Sequence, residues 1–364
     1  MPSWIHPIGI VWRGRMTPPV SHRRGGFRRS RPIRFALGDC GRDRRRIAIP
    51  GRCAGRVLRQ GCWILILAAC TACSRPEDRS PAGTPSTSPA EVRYALRGKI
   101  IAVNGDRKTL TISHETIPGL MPAMTMEFQV SEGDLAIAKP DERIRGELVR
   151  NGDDFHLERL WPDDRVSVAS VEAATNALRK DTAVRGKAAY REVGETMPVF
   201  ALYDQDAHLV EANRFRGRQI MLNFIYTRCP VPTMCPAATL RMMEVQKAAR
   251  VAGVDNLQLI SITLDPVYDT PGILKEYAVG RGIDTSSFSF LTGPESAIRD
   301  LLTQFGVIAQ FQDGLLRHTL ATLLIDEQGR IIHRTDGGNW SVDEFVEKMH
   351  RAGGQPKQRA SSSE

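Results

Sequence analysis

The sequence predicts two folded units in series, a small all-β barrel over residues 92–166 and an α/β domain over 194–352. Three observations predict it. Short alternating apolar runs surround an Asn104-Gly105 turn signal, and strand-like and helix-like segments alternate from about residue 194 onward. The chain has 364 residues with 41% hydrophobic and 25% charged, an ordinary globular composition with room for two or three domains.

The elements follow in order. Residues 1–69 read as a basic leader plus an export signal. The first sixty hold fifteen arginines against Asp39 and Asp43, net +13 in a chain whose total is +9, so the remainder sums to −4. The basic charge therefore belongs to the leader, and a nucleic-acid partner is not expected. The leader has no apolar periodicity and is expected to be disordered. Arg56 and Arg59 then precede the run Cys62-Trp-Ile-Leu-Ile-Leu-Ala-Ala69, an apolar core too short to span a bilayer, which reads as an export signal; such a signal behind sixty Arg-rich residues is unusual, which suggests a translation start near Val57. Leu67-Ala-Ala-Cys70 resembles a bacterial lipobox, which implies a lipid on Cys70 and a protein tethered to a membrane on the periplasmic side; plain secretory cleavage is the alternative, and Cys73 fits the pattern less well. Residues 70–91, rich in Ser, Pro, Thr and Gly, read as a flexible stalk.

Strands are expected at 94–103, 109–113, 124–130 and 144–149, giving the barrel. Residues 167–193 are Ala-rich with mixed charge and suit a connecting helix or a linker. Strands near 219–226, 257–264, 287–291, 319–325 and 330–333 then alternate with helices near 236–251, 271–279, 295–304 and 342–349. Thr270-Pro271 is an N-cap and first-turn pair, Ser341-Val-Asp-Glu344 a capping box, and Gly306 a C-cap. Alternation of this kind implies a mostly parallel central sheet. The tail, 353–364, is expected to be loose.

Of seven cysteines, Cys40, Cys53, Cys62, Cys70 and Cys73 fall in the leader, signal or anchor, which leaves Cys229 and Cys235 in the folded part. In an exported domain two thiols can form a disulfide, share a metal, or alternate between these states. They lie in Tyr226-Thr-Arg-Cys-Pro-Val-Pro-Thr-Met-Cys-Pro236, between a buried strand and a helix N-terminus. Such a position is expected to lower a thiol pKa, and thiolate is both a redox nucleophile and a soft ligand for Cu(I).

Around these cysteines the chain resembles the Sco/SenC family of thioredoxin-fold copper-delivery proteins, through Leu222-Asn-Phe-Ile-Tyr-Thr-Arg-Cys-Pro230, Ile260-Ser-Ile-Thr-Leu-Asp-Pro-Val-Tyr-Asp-Thr-Pro271, Phe290-Leu-Thr-Gly293 and Arg317-His318-Thr319. The resemblance implies a thioredoxin-like domain in which Cys229, Cys235 and His318 hold copper, as Cu(I) or as Cu(II) with a water, and deliver it to the binuclear copper centre of a cytochrome c oxidase subunit. The family pattern has three residues between the cysteines; this chain has five. Asp265 is expected near the thiols, Asp269 at the following helix cap, and Met234 as loop packing or an accessory ligand. His156, His208, His333 and His350 read as structural or solvated.

A second soft cluster precedes it. In His114-Glu-Thr-Ile-Pro-Gly-Leu-Met121-Pro-Ala-Met124-Thr-Met126, alternate spacing puts Met124 and Met126 on one strand face. Thioether and imidazole suit Cu(I) or Ag(I), although methionines on a strand face are more often core. The segment resembles the CusF-like periplasmic copper-binding domain, which implies an OB-like barrel with His114, Met124 and Met126 as ligands. Met121 stands where that family has a tryptophan.

The reading these features give is an exported, lipid-anchored copper chaperone, with the stalk and the segment after residue 166 supplying reach. The alternatives are a thiol-disulfide reductase in which Cys229 attacks and Cys235 resolves, or a protein that only sequesters copper. A peroxiredoxin-like activity lacks a Thr-x-x-Cys context.

Overall fold

A computed structural model describes residues 91–353 apart from 153, 187, 188, 313 and 314. The leader and signal, Cys70, the stalk up to residue 90 and the tail from 354 lie outside the described residues.

The barrel comprises β1 (Val92–Asn104), β2 (Thr109–His114), β3 (Met124–Gln129), the short helix α1 (Glu132–Ile137), β4 (Arg143–Asn151) and β5 (Asp154–Pro162). The five strands close in the order β1-β2-β3-β5-β4. The Asn104-Gly105 turn joins β1 to β2 as the sequence predicts. Strand β1 is long enough to pair with β4 at its start and β2 at its end, with a register shift between Ile100 and Ala102 that bends it around the barrel. At Gly98 the backbones approach so closely that a Cβ would lie 2.7 Å from Ser113 O. Leu96, Ile100, Leu110, Ile112, Phe128, Leu148 and Leu157 fill the interior. Neither α1 nor β5 is among the sequence expectations.

The segment left open as helix or linker is α2 (Arg165–Arg185), capped by Asp164, whose carboxylate accepts from Ser167 N at 2.8 Å. Val171, Thr175 and Leu178 form its buried stripe. This helix is packed rather than free: the Arg191 guanidinium that follows it donates to Gln304 at 2.7 Å, and Gln304 donates to the Thr182 hydroxyl at 3.0 Å. The reach expected of this segment is therefore not present.

The α/β domain begins with the hairpin β6 (Ala201–Tyr203) and β7 (Leu209–Glu211), then β8 (Gln219–Ile225), α3 (Cys235–Val251), β9 (Leu257–Thr263), α4 (Pro271–Gly280), β10 (Phe288–Leu291) and α5 (Glu295–Gln304). A second hairpin, β11 (Ala309–Gln312) and β12 (Leu315–His318), precedes β13 (Ala321–Ile325), β14 (Ile331–Asp336) and α6 (Val342–Gly353). The sheet order is β10-β9-β8-β13-β14, with β10, β9 and β8 parallel and β13 and β14 antiparallel. Every residue of β8 and β9 is buried, as expected of strands covered on both faces. Thr270 caps α4, and Gly306 follows α5 with φ +65°. The strand expected over 319–325 starts at Ala321, because His318 closes the β11–β12 hairpin.

Helix α1 seats the barrel on α4. A Cβ on Gly133 would lie 2.0 Å from Gly272 O, so the two backbones touch. Gly133 N donates to Glu276 at 2.7 Å, and Lys139 meets His208 at 3.1 Å. Asp134 is buried in this seam, its N–H donating to Ser131 Oγ at 3.0 Å.

Candidate metal centres

The first centre is built where β8 runs out. Beyond Tyr226 the chain leaves the sheet, turns through Cys229, and re-enters order at Cys235, the first residue of α3, with Pro236 in its first turn. Cys235 is fully buried and Cys229 half-buried. His318 comes from the end of β12, paired with Ala309. The Sγ atoms of both cysteines and a ring nitrogen of His318 lie within 4.8 Å of one another. The two extra residues between the cysteines are absorbed by Val231, Pro232 and Thr233, which project into solvent.

His318 is oriented by its own strand end. Nδ1 lies 3.0 Å from the Thr319 carbonyl, which can only accept, so Nδ1 carries the proton and Nε2 keeps its lone pair. That Nε2 is 3.5 Å from Cys235 Sγ. Burial holds the His318 pKa below its ordinary value, which keeps the ring neutral. The expectation of a lowered thiol pKa at the helix N-terminus fails for Cys235: burial dominates and pushes it up to about 12. Removing its proton therefore calls for a compensating positive charge, which a metal cation supplies.

Two carboxylates brace the loop from below. Asp269 accepts from Thr227 N at 3.2 Å, Thr227 Oγ1 at 2.5 Å and Thr263 Oγ1 at 2.6 Å, and burial raises it to about 6. It anchors the cysteine loop, while Thr270 caps α4. Asp265 pairs with Arg228 at 2.6 Å, and that guanidinium stacks on Tyr268 at 3.8 Å. Asp265 thus meets the cysteine loop through Arg228. Sequence reasoning passed over Tyr226 as a strand end; its ring stands 5.5 Å from His318 at 90°, and burial, then Cys229, push its phenol up to about 12.

The second group lies at one end of the barrel. His114 ends β2 directly opposite Met124, which begins β3; Met126 is opposite Ile112, and Phe128 opposite Leu110. Met124, Met126 and Phe128 therefore share a face that runs from the 48% exposed Met124 into the core. Met121 is placed by the loop, where Ile117 and Met121 exchange backbone hydrogen bonds of 2.9 and 3.2 Å. His114 Nδ1 lies 2.7 Å from the Glu115 carbonyl, and its buried Nε2 has no hydrogen-bond partner among the described residues. An orphaned imidazole lone pair beside thioethers fits a soft cation.

Three further histidines meet polar or aromatic neighbours: His156 faces Glu158 at 3.1 Å, His208 faces Lys139, and His333 packs on Phe345. Glu91, His156 and Glu158 also converge, but Arg93 bridges both glutamates at 2.9 Å and so already occupies their carboxylates.

A family model described as SCO1/SenC matches residues 188–353, and one described as copper binding periplasmic protein CusF matches residues 93–162. A SCO2-like protein of Rickettsia typhi is 30% identical over 148 residues, covering 39% of this chain and 68% of that protein. A SCO1 protein homolog of Bacillus subtilis is 27% identical over 158 residues, 42% of this chain and 80% of that one. A solved SCO1/SenC family lipoprotein from Bacillus anthracis is 25% identical, with a TM-score of 0.41 over 45% of this chain and 99% of that chain. Through its thioredoxin-like domain and the Cys229, Cys235 and His318 cluster that this domain assembles, the chain belongs to the SCO1/SenC family of copper-binding proteins, with a CusF-like domain ahead of it.

Proposed function

We propose that the protein is an exported, lipid-anchored copper chaperone. Its barrel captures Cu(I) through His114, Met124, Met126 and Met121. Its thioredoxin-like domain holds copper through Cys229, Cys235 and His318 and delivers it to an acceptor. The acceptor proposed is the binuclear copper centre of a respiratory cytochrome c oxidase, an expectation that comes with the family. Anchoring at Cys70 and a periplasmic site of action belong to the same reading, in keeping with the family description of the barrel as periplasmic.

The observation that carries it is the convergence of two sulfurs and an imidazole nitrogen within 4.8 Å, despite the longer spacing between the cysteines. Two thiolates and an imidazole form a trigonal set suited to Cu(I), and one added water suits Cu(II). Copper moves as cargo, by exchange of one soft ligand for another.

Copper stoichiometry on the reduced protein tests it. Two ions per chain should fall to one when Cys229 and Cys235 are both replaced by Ser, and stoichiometry unchanged by that replacement would sink the reading. One observation favours a second reading, a thiol-disulfide reductase: Cys229 is half-exposed and Cys235 buried, the arrangement of an attacking and a resolving thiol. Reductase turnover that survives His318→Ala would select it.

A further inference from the structure

Between the barrel and the α/β domain lies a cleft of about 490 Å³, walled on one side by β1, β4 and β5 and on the other by the loops that follow β9 and β10. Its barrel wall breaks two local rules. Arg97 of β1 stands directly opposite Arg145 of β4, and Trp161 of β5 stands opposite Arg145 on its other side. Like charges directly opposite each other on neighbouring strands destabilise a sheet. Beside them Arg159 has φ +56°, a conformation uncommon in a bulky residue, where the pairing of β4 with β5 shifts register between Arg145 and Glu147. Leu157 and Leu160 both point into the barrel, so this bulge turns Arg159 outward, where strict alternation from Leu157 would have pointed it into the core.

The guanidinium groups are not used up by their neighbours. Arg145 stacks over Trp161 at 5.4 Å, and its side chain has no hydrogen-bond or ion-pair partner among the described residues. Arg97 meets Asp163 through one nitrogen at 3.2 and 3.3 Å, and Arg159 meets Glu147 through one nitrogen at 3.2 Å, so each keeps donors free. Two carboxylates share the lining, but Glu147 is held by Arg93 and Arg159, and Glu295 faces Arg299 at 3.8 Å. The far wall, Pro266, Val267, Gly293 and Pro294, is the carboxyl edge of the parallel strands, where α/β domains collect small ligands.

We infer that this cleft is a binding site for a small anion, whose carboxylate or phosphate oxygens are held by Arg97, Arg145 and Arg159 and whose body rests against Trp161 and the Pro266-Val267 loop. An oxyanion there relieves the repulsion between Arg97 and Arg145, and planar guanidinium groups match its paired oxygens. The occupant bridges the two domains close to both candidate metal centres. The Arg97 carbonyl accepts from Glu115 N at 2.9 Å, next to His114, and Pro266 follows Asp265, which pairs with Arg228 next to Cys229.

Citrate and inorganic pyrophosphate, titrated into the metal-free full protein against sodium chloride of equal ionic strength, test this by calorimetry and by Trp161 fluorescence, whose signal is identified by its loss in Trp161→Phe. At least one of the two should bind at a single saturable site and change the Trp161 emission. Tighter binding of citrate marks a carboxylate ligand, and tighter binding of pyrophosphate a phosphate ligand. Arg145→Gln should weaken binding by about tenfold or more, since it removes a charge-assisted hydrogen bond. Arg159→Gly should weaken it as well, and because glycine accepts φ +56° that variant keeps its fold. Arg330→Gln, outside the cleft, should bind as the wild type does. The inference is overturned if neither anion saturates, if both cleft variants bind like the wild type, or if Arg330→Gln loses as much affinity as they do.

Discussion

The seam between the barrel and the α/β domain contains a buried acid, and this sets the direction in which stability must change with pH. Asp134 is pushed from 3.8 up to about 7, first by burial and then by the neighbouring Glu276 carboxylate, against hydrogen bonds from Leu160 and Ser131. Glu158 of β5 adds a smaller push in the same direction. A carboxyl whose folded pKa is raised binds more protons folded than unfolded. Its contribution is intact below about pH 4, falls as pH rises between the two pKa values, and levels off above about 7. A rise of roughly 3 units corresponds to about 4 kcal/mol in total, of which about 2 kcal/mol is lost between pH 5.5 and pH 8.

Asp134→Asn keeps the shape and the acceptor oxygen but has no proton to lose. Urea unfolding at pH 5.5 and pH 8 should show the wild type losing about 2 kcal/mol more than the variant across that interval. Trp161 on the barrel and Trp340 in the α/β domain give one fluorophore on each side of the seam. Equal pH slopes for the two proteins would refute the assignment of Asp134 as a buried, proton-holding contact.

Two further outcomes concern the seam and the barrel methionines. Gly272→Ala places a Cβ 2.2 Å from Asp134 Oδ1 and 2.8 Å from Asp134 N, so the seam must open; a cost of about 1–3 kcal/mol should appear as earlier unfolding at Trp161 than at Trp340. Met124→Leu and Met126→Leu conserve volume, so the unfolding free energy in urea should change by less than about 1.5 kcal/mol while competition with a Cu(I) chelator shows barrel affinity falling by about tenfold or more.

Much of the fold was legible because local signals agreed with tertiary demands. Asn104-Gly105 makes the hairpin it announces, the all-apolar character of β8 and β9 marks strands covered on both faces, and Thr270 caps the helix that Pro271 begins. Strand β5 was not legible, for a specific reason. Arg159 has φ +56°, so Leu157 and Leu160 both turn inward three residues apart, and the two-residue alternation that identifies a strand is broken. The β11–β12 hairpin is mostly exposed and its strands are only four residues each, although Asp313-Gly314 is a turn signal in the sequence. Asp134 lies in a six-residue helix, and nothing local says that α4 covers it. The cysteine pKa was misjudged because the helix N-terminus is visible in sequence and the burial that outweighs it is not.

The two candidate centres lie on unrelated folds yet orient their histidines in the same way. Each histidine is the last residue of a strand, and each gives its Nδ1 proton to the carbonyl of the next residue, Glu115 at 2.7 Å and Thr319 at 3.0 Å. A strand end permits this because the following carbonyl has left the sheet ladder and needs a donor. The result is an Nε2 lone pair with no proton to displace, one orphaned beside methionines and one against Cys235 sulfur. The sulfurs differ. Thioethers in the barrel are neutral at any pH, whereas Cys235 holds its proton tightly. On the proposed function, copper enters the cysteine site only as thiol protons leave, so loading of that site is drawn forward by rising pH.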